Sequence, residues 1–294
     1  MIIGVLGPEG SYSEKAAKLW IRDKGFKTVS LRYFEDIEDA FTAAAKGKAD
    51  FSVIPVENSI EGSVGISLDL LLRLKTVICG EIVIRIEHSL LSKGGRENIK
   101  VILSHPQALA QCRHFLKENF PDAEIRSTGS TSHAALLAGE FEEMAAISAP
   151  EAAKKYGLKI LLSNIQDRKE NHTRFLVIRP GNFHENARVP ENCPHEKTDP
   201  DSEGASSFKT SLIVYIAKDR PGSLYELLGA FAKRGINLTK IESRPSKREL
   251  GDYYFYIDFE GHIGDAVIKD ALKDIKTNTD MLKVLGSYPR FEKN

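Results

Sequence analysis

The chain has 294 residues, with 41 Lys plus Arg against 41 Asp plus Glu, so its formal net charge is zero. A composition of 41% hydrophobic and 28% charged residues is that of an ordinary globular protein, long enough for about two domains. Balanced charge supplies no general pull on nucleic acid or an anionic surface, and no run reaches the roughly 18 to 20 apolar residues of a membrane span, so neither partner is expected.

In chain order, residues 2–6 read as a short buried strand with no basic leader before it, so no signal peptide is expected. Gly4 lies in that strand and Gly7 and Gly10 follow it, but GxxGxxG with Pro8 inside it is not the spacing of a dinucleotide-binding loop. Ser11 with Glu14 has capping-box spacing and starts a helix whose apolar face is Ala16, Ala17, Leu19 and Trp20. Strands are predicted at 51–56, 77–86, 101–103, 145–147 and 175–178. Between them, Ala108, Leu109, Cys112, Phe115 and Leu116 form the stripe of one helix, and Ser148 with Glu151 repeats the capping-box spacing. Strands alternating with helices predict an α/β unit over residues 1–183.

Polar clusters stand where these strands end, the usual place for ligands in open α/β sheets. Glu57-Asn58-Ser59 follows the second strand and Ser104-His105-Pro106-Gln107 the strand at 101–103, with Gln111 one helical turn beyond. Ser130-Thr131-Ser132 precedes a helix, and Asn171-His172-Thr173-Arg174 opens the strand that Phe175 begins. Each cluster reads either as a cap or turn, or as part of one convergent site. Thr173 and Arg174 suit a substrate with carboxylates and a leaving hydroxyl: a guanidinium grips a carboxylate with two parallel bonds, and a hydroxyl can donate to a departing oxygen.

Residues 184–208 are polar and proline-bearing (Pro190, Pro194, Pro200) and read as a linker. His184, Cys193 and His195 fall there without paired ligand spacing, so no metal is expected. Cys79, Cys112 and Cys193 are odd in number and far apart, which argues against a disulfide framework and for a cytoplasmic location. Residues 209–288 then read strand, helix, strand, strand, helix, strand, the βαββαβ order of a ferredoxin-like sandwich.

Gly7-Pro8-Glu9-Gly10-Ser11, Pro55-Val56-Glu57-Asn58-Ser59, Ser104-His105-Pro106-Gln107 with Gln111, and Thr173-Arg174-Phe175 stand in the order seen in prephenate dehydratases, which the chain resembles over nearly its whole length. The second unit resembles an ACT regulatory domain, on Gly222-Ser223-Leu224 and on Glu242-Ser243-Arg244-Pro245. The resemblance implies two α/β lobes similar to type II periplasmic binding proteins, closing on prephenate without a cofactor, and an ACT domain that binds phenylalanine and inhibits. It also implies a single activity, with no chorismate mutase helices ahead of the first strand.

On that resemblance Thr173 is expected to donate at the leaving oxygen, with Asn58, Ser104 and Gln111 as neutral orienting partners and Arg174 as a carboxylate clamp or a brace of its loop. Glu57, Ser59, Ser11, Thr131 and Phe175 are the expected substrate contacts, and residues 222–224 and 242–245 the effector contacts. A homodimer or homotetramer is expected from pairing of the ACT sandwich. Arogenate as substrate, and a non-catalytic binding protein built on the same cleft, remain the alternatives.

Overall fold

The computed structural model describes residues 1–181, 208–216, 221–247 and 252–291. The linker at 184–207, with His184, Cys193 and His195, lies outside the described residues. The first elements are β1 (Ile2–Leu6), α1 (Tyr12–Asp23), β2 (Ser30–Phe34), α2 (Ile37–Ala45), β3 (Phe51–Asn58), β4 (Gly62–Ser63), α3 (Gly65–Arg73) and β5 (Thr76–Arg85). There follow β6 (Ser89–Ser92), β7 (Val101–Ser104), α4 (Pro106–Gln111), α5 (Arg113–Asn119), β8 (Glu124–Ser127), α6 (Thr131–Ala138), β9 (Met144–Ser148), α7 (Glu151–Tyr156), β10 (Lys159–Leu162) and β11 (His172–Pro180). The last elements are β12 (Phe208–Tyr215), α8 (Ser223–Ala232), β13 (Leu238–Pro245), β14 (Tyr253–Glu260), α9 (Ala266–Thr277) and β15 (Met281–Pro289).

Among the described residues the strands form three sheets. The first runs β2-β1-β3-β11-β5 with β4 on β3, the second β10-β6-β9-β7-β8, and the third β13-β14-β12-β15. In the first, β1 is parallel to both β2 and β3; in the second, β7 is parallel to β8 and β9 while β6 runs against β9 and β10. Two mixed α/β sheets of this kind, followed by an antiparallel βαββαβ sheet, are the architecture expected of two periplasmic-binding-protein-like lobes and an ACT domain.

The chain divides into two compact units. One comprises Met1–Ala43, Ala49–Leu68 and Ile82–Phe175, the other Ala44–Lys48, Asp69–Glu81 and Leu176–Asn294. The first unit shows why its second sheet reads as continuous apolar runs: both faces are covered. Val101 and Leu103 of β7 pack with Ala146 of β9 against Ala134, Ala135 and Ala138 of α6. Ile102, Ala145 and Ile147 turn the opposite way onto Ala108, Cys112 and Leu116. Each fully buried Leu or Ile stabilises the fold by roughly 1.5–3 kcal/mol relative to exposure. In the second unit Leu212, Val214, Ile257 and Phe259 meet Leu227, Phe231, Ile268, Leu272 and Ile275 in one core.

Two local expectations are corrected. The stripe from Ala108 to Leu116 belongs to two helices, α4 and α5, because the chain breaks at Cys112. Asp167 causes the break's stability: its carboxylate accepts the N–H groups of His114 and Phe115 at 3.1 and 3.2 Å, and its own N–H donates to the Gln111 carbonyl at 2.8 Å. A carboxylate thus caps α5 from a distant loop. Ser148 caps nothing; it ends β9 with its hydroxyl unpartnered, and Pro150 takes the N-cap of α7.

Candidate active site

In the first unit a cavity of about 260 Å³ gathers residues from the ends of β1, β3 and β11 and from the segments that follow β5 and β7. Three helix N-caps line it: Ser11 of α1, His105 of α4 and Ser130 of α6. Ser11 Oγ accepts the Glu14 N–H at 3.3 Å, while the Glu14 carboxylate takes the Gly10 N–H rather than that of Ser11. Ser130 Oγ accepts the His133 N–H at 3.0 Å. Past Ser130, Thr131 and Ser132 line the cavity, and the Ser132 hydroxyl is buried without a partner. The N-termini of α1 and α6 therefore present partial positive charge and hydrogen-bond donors to the same space.

Opposite stand Asn58, Gln111, Asn171, Thr173 and Phe175. Asn58 Nδ2 donates to Thr173 Oγ1 at 2.9 Å and to Asn171 Oδ1 at 2.8 Å, and lies 3.2 Å from the His172 carbonyl. Its Oδ1 accepts the backbone N–H groups of Ile60 and Glu61 at 2.9 and 3.1 Å. Gln111 Oε1 lies 2.9 Å from both His88 Nε2 and Asn171 Nδ2. Burial lowers the pKa of His88, opposed by its bond to Gln111, so its ring is held neutral. Tyr12 donates its hydroxyl to the Glu87 carbonyl at 2.5 Å, and burial first, then the charge of Glu151, raises its pKa, so it stays protonated.

Among the described residues no Lys, Arg, Asp or Glu lines this cavity. The alternation of strands explains where the charges went. Thr173 and Phe175 point one way from β11, and Arg174 the other; Asn58 points one way from β3, and Glu57 the other. Arg174 and Glu57 accordingly pair at 3.7 Å outside the cavity lining.

The structure brings Asn58, Gln111, Thr173, Ser11, Thr131 and Phe175 together in the lining. It does not bring in Ser104 or Ser59. Ser104 is fully buried and donates to the Ile147 carbonyl at 2.6 Å, tying β7 to β9. Ser59 tethers β3 to β11, its N–H donating to the His172 carbonyl at 2.8 Å and its Oγ accepting the His172 N–H at 2.9 Å. His88 is a lining residue that sequence reasoning passed over, and His105 and Asn171 line the cavity too, named in the sequence only as members of polar clusters without a role of their own. Asn171 carried a signal, since it shares the face of Thr173 two residues on; His88 carried none beyond its place after a buried strand.

The expected effector residues lie in the second unit. Gly222 is the N-cap of α8 at φ +96°, a conformation that favours glycine. Ser223 lines a second cavity of about 300 Å³ between α8 and the end of α9, to which residues 242–245 do not contribute, and Leu224 is exposed. On β13, Glu242 pairs with Lys240 at 3.3 Å, and Arg244 with Asp69 at 3.2 Å. Ser243 and Pro245 belong to the same strand. Among the described residues no group of three or more His, Cys, Asp or Glu could hold a metal ion, and no helix is long and apolar enough to cross a membrane.

The chain matches the family model for prephenate dehydratase over residues 3–182 and that for the ACT domain over residues 210–277. A bifunctional chorismate mutase/prephenate dehydratase of Aquifex aeolicus is 42% identical, over 98% of this chain and 73% of that protein. The prephenate dehydratase of Methanocaldococcus jannaschii is 39% identical over 97% of each. Among solved structures, prephenate dehydratase from Arthrobacter aurescens in complex with L-Phe aligns with a TM-score of 0.81 at 32% identity, over 99% of this chain and 90% of that one. GqqA, described as a novel type of quorum quenching acylase, aligns with a TM-score of 0.82 at 27% identity, over 99% of this chain and 98% of that one. With both family models matched and relatives 39–42% identical over nearly all its length, the chain belongs to the prephenate dehydratase family and carries an ACT domain.

Proposed function

We propose that the chain converts prephenate to phenylpyruvate, water and CO2, with residues 1–183 as the catalytic part, 184–208 as the linker and 209–288 as the regulatory part. The observation that carries this reading is the state of the Thr173 hydroxyl. Its oxygen accepts from Asn58 Nδ2, so its single proton is left to donate into the cavity. Prephenate needs a donor at the hydroxyl that departs from its ring, while the ring carboxylate leaves as CO2 and one external proton completes the water.

A cavity without charged side chains suits that chemistry. A cation on the ring carboxylate would stabilise the ground state, in which the negative charge is localised, more than the transition state, in which it flows into the ring. Neutral donors at the N-termini of α1 and α6, with Thr131 and Gln111, hold the carboxylates in register instead, while Ser11, whose hydroxyl donates to the Leu6 carbonyl at 2.9 Å, shapes the α1 terminus that meets them. Phe175 packs against the ring, and Arg174 with Glu57 braces the strand ends behind Thr173 and Asn58. Ser104 acts from behind the site by fixing β7 to β9.

Arogenate carries an ammonium where prephenate carries a keto oxygen. The cavity offers no carboxylate to receive it, which favours prephenate. An acylase would need a nucleophile set against a base. Here the Thr173 oxygen is engaged by Asn58, His88 Nε2 by Gln111 and His105 Nδ1 by the Gln107 N–H. Phenylalanine binds the ACT part, at residues 222–224 and 242–245, and inhibits; the protein works in the cytoplasm as a homodimer or homotetramer.

The test offers purified protein prephenate and arogenate separately, with and without phenylalanine, and measures phenylpyruvate and phenylalanine formed. Turnover of prephenate that phenylalanine suppresses supports the reading. A clear preference for arogenate, or no turnover of either, overturns it.

A further inference from the structure

Amide oxygen and nitrogen atoms exchange places by a flip, so the direction of a chain of amide hydrogen bonds is set only where it touches a group that cannot flip. Such a group exists here. The backbone N–H groups of Ile60 and Glu61 both point at one terminal atom of Asn58, which must therefore be its oxygen. The other terminal atom is then the nitrogen, and it donates to Thr173 Oγ1 and to Asn171. The Asn171 atom that receives this bond must be its oxygen, so its nitrogen faces Gln111. One terminal atom of Gln111 meets both that nitrogen and His88 Nε2, so it must be the oxygen, and His88 must donate from Nε2. The His88 ring is left with its proton on Nε2 and a bare, buried Nδ1 that has no partner. Gln111 is left with its amide N–H groups turned to the cavity, and Thr173 with its hydroxyl proton.

We propose that His88 and Asn171 are positioning residues for the reaction: together they lock the amide of Gln111 and the donation from Asn58, so that the cavity meets protons on Gln111 and Thr173 rather than lone pairs. The proposal rests on the reading of Thr173 as the donor to the leaving oxygen, but its proton pattern stands independently of any substrate. His88 acts through Gln111, not as an acid or base, and its neutral state follows from its burial.

Two measurements test it. Long-range proton–nitrogen NMR of the histidine rings in the full-length protein at neutral pH is expected to show His88 with a protonated Nε2 and an unprotonated Nδ1. The other tautomer, or an imidazolium, overturns the proposal. In steady-state kinetics with prephenate, His88→Leu is expected to lower kcat about 10- to 100-fold with KM little changed, because the Gln111 oxygen then keeps only the Asn171 N–H and its amide is held less firmly. His88→Gln, which carries an amide nitrogen about as far out as Nε2, is expected to recover at least about tenfold over His88→Leu. Asn171→Asp, of equal size but without the N–H donor, is expected to lose as much as His88→Leu. His88→Leu at wild-type turnover, or His88→Gln as impaired as His88→Leu, overturns the positioning role. Should Thr173→Val retain full turnover, the functional reading fails instead, and the ring tautomer still decides the proton pattern.

Discussion

Asn58→Asp tests the logic of the site with almost no change in shape. The carboxylate keeps the oxygen that accepts the N–H groups of Ile60 and Glu61, so the turn after β3 is preserved. The second oxygen now faces Thr173 Oγ1 across 2.9 Å, where a donor stood before. Thr173 answers by donating its proton to the carboxylate. A hydrogen bond to a charged group contributes about 1.5–3 kcal/mol, and that bond must break before the proton reaches the leaving oxygen, which corresponds to roughly a 10- to 150-fold fall in kcat. Two acceptors also confront each other at Asn171 Oδ1, costing on the order of 1–3 kcal/mol of stability. The assay is steady-state turnover of prephenate by Asn58→Asp, Thr173→Ala and the double variant, with denaturant melts of each. Since both single changes withdraw the same proton, the double variant is expected within about tenfold of the weaker single variant. Asn58→Asp at wild-type kcat, or losses that multiply in the double variant, would refute the reasoning.

Four further outcomes are expected. Lys209 Nζ lies 2.9 Å from both oxygens of Glu81 in a nearly buried pair, so Lys209→Met, which removes that cation and leaves the Phe291 N–H on the carboxylate, should cost about 3–5 kcal/mol in denaturant unfolding; a loss under about 1 kcal/mol contradicts this. His88 has a lowered pKa in the fold, so the unfolded chain binds the extra proton; its contribution to stability is present above about pH 6.5 and lost as pH falls through the range below, and His88→Gln should flatten that acid-side slope in melts run from pH 5 to pH 8. Burial, then the charge of Asp167, pushes the Cys112 thiol up to about 12, so alkylation mapped by mass spectrometry should leave Cys112 unmodified at pH 8 in the folded protein; ready labelling there would show the site is open. Gly222→Ala adds a Cβ that meets no atom within 4 Å but sits at φ +96°, so it should cost on the order of 1–3 kcal/mol through backbone strain and weaken phenylalanine inhibition, read from melts and dose–response curves.

Strands buried on both faces were legible as apolar runs, and β3, β7, β9 and β11 stand where those runs lie. Short strands with exposed or polar residues, such as Ser30–Phe34 and Glu124–Ser127, gave no run to read and exist because a partner strand pairs with them. The break at Cys112 was invisible because its cause, Asp167, lies 55 residues further along. In the site, Thr173 and Asn58 could be picked out from their neighbours in the chain. Period-two alternation along the strand places Arg174 on the face opposite Thr173, where it pairs with Glu57. The chain of contacts from His88 through Gln111 and Asn171 to Asn58 joins four stretches of sequence, and only the fold reveals it.

The most direct measurement is kcat for prephenate in Thr173→Val and Thr173→Ser, two variants that keep the volume or the hydroxyl but not both. Loss of a positioned donor should drop Thr173→Val by about 10²–10⁴-fold, with Thr173→Ser retaining most of the turnover. Thr173→Val turning over prephenate like the wild type would contradict the role of that hydroxyl, and with it the account of the site.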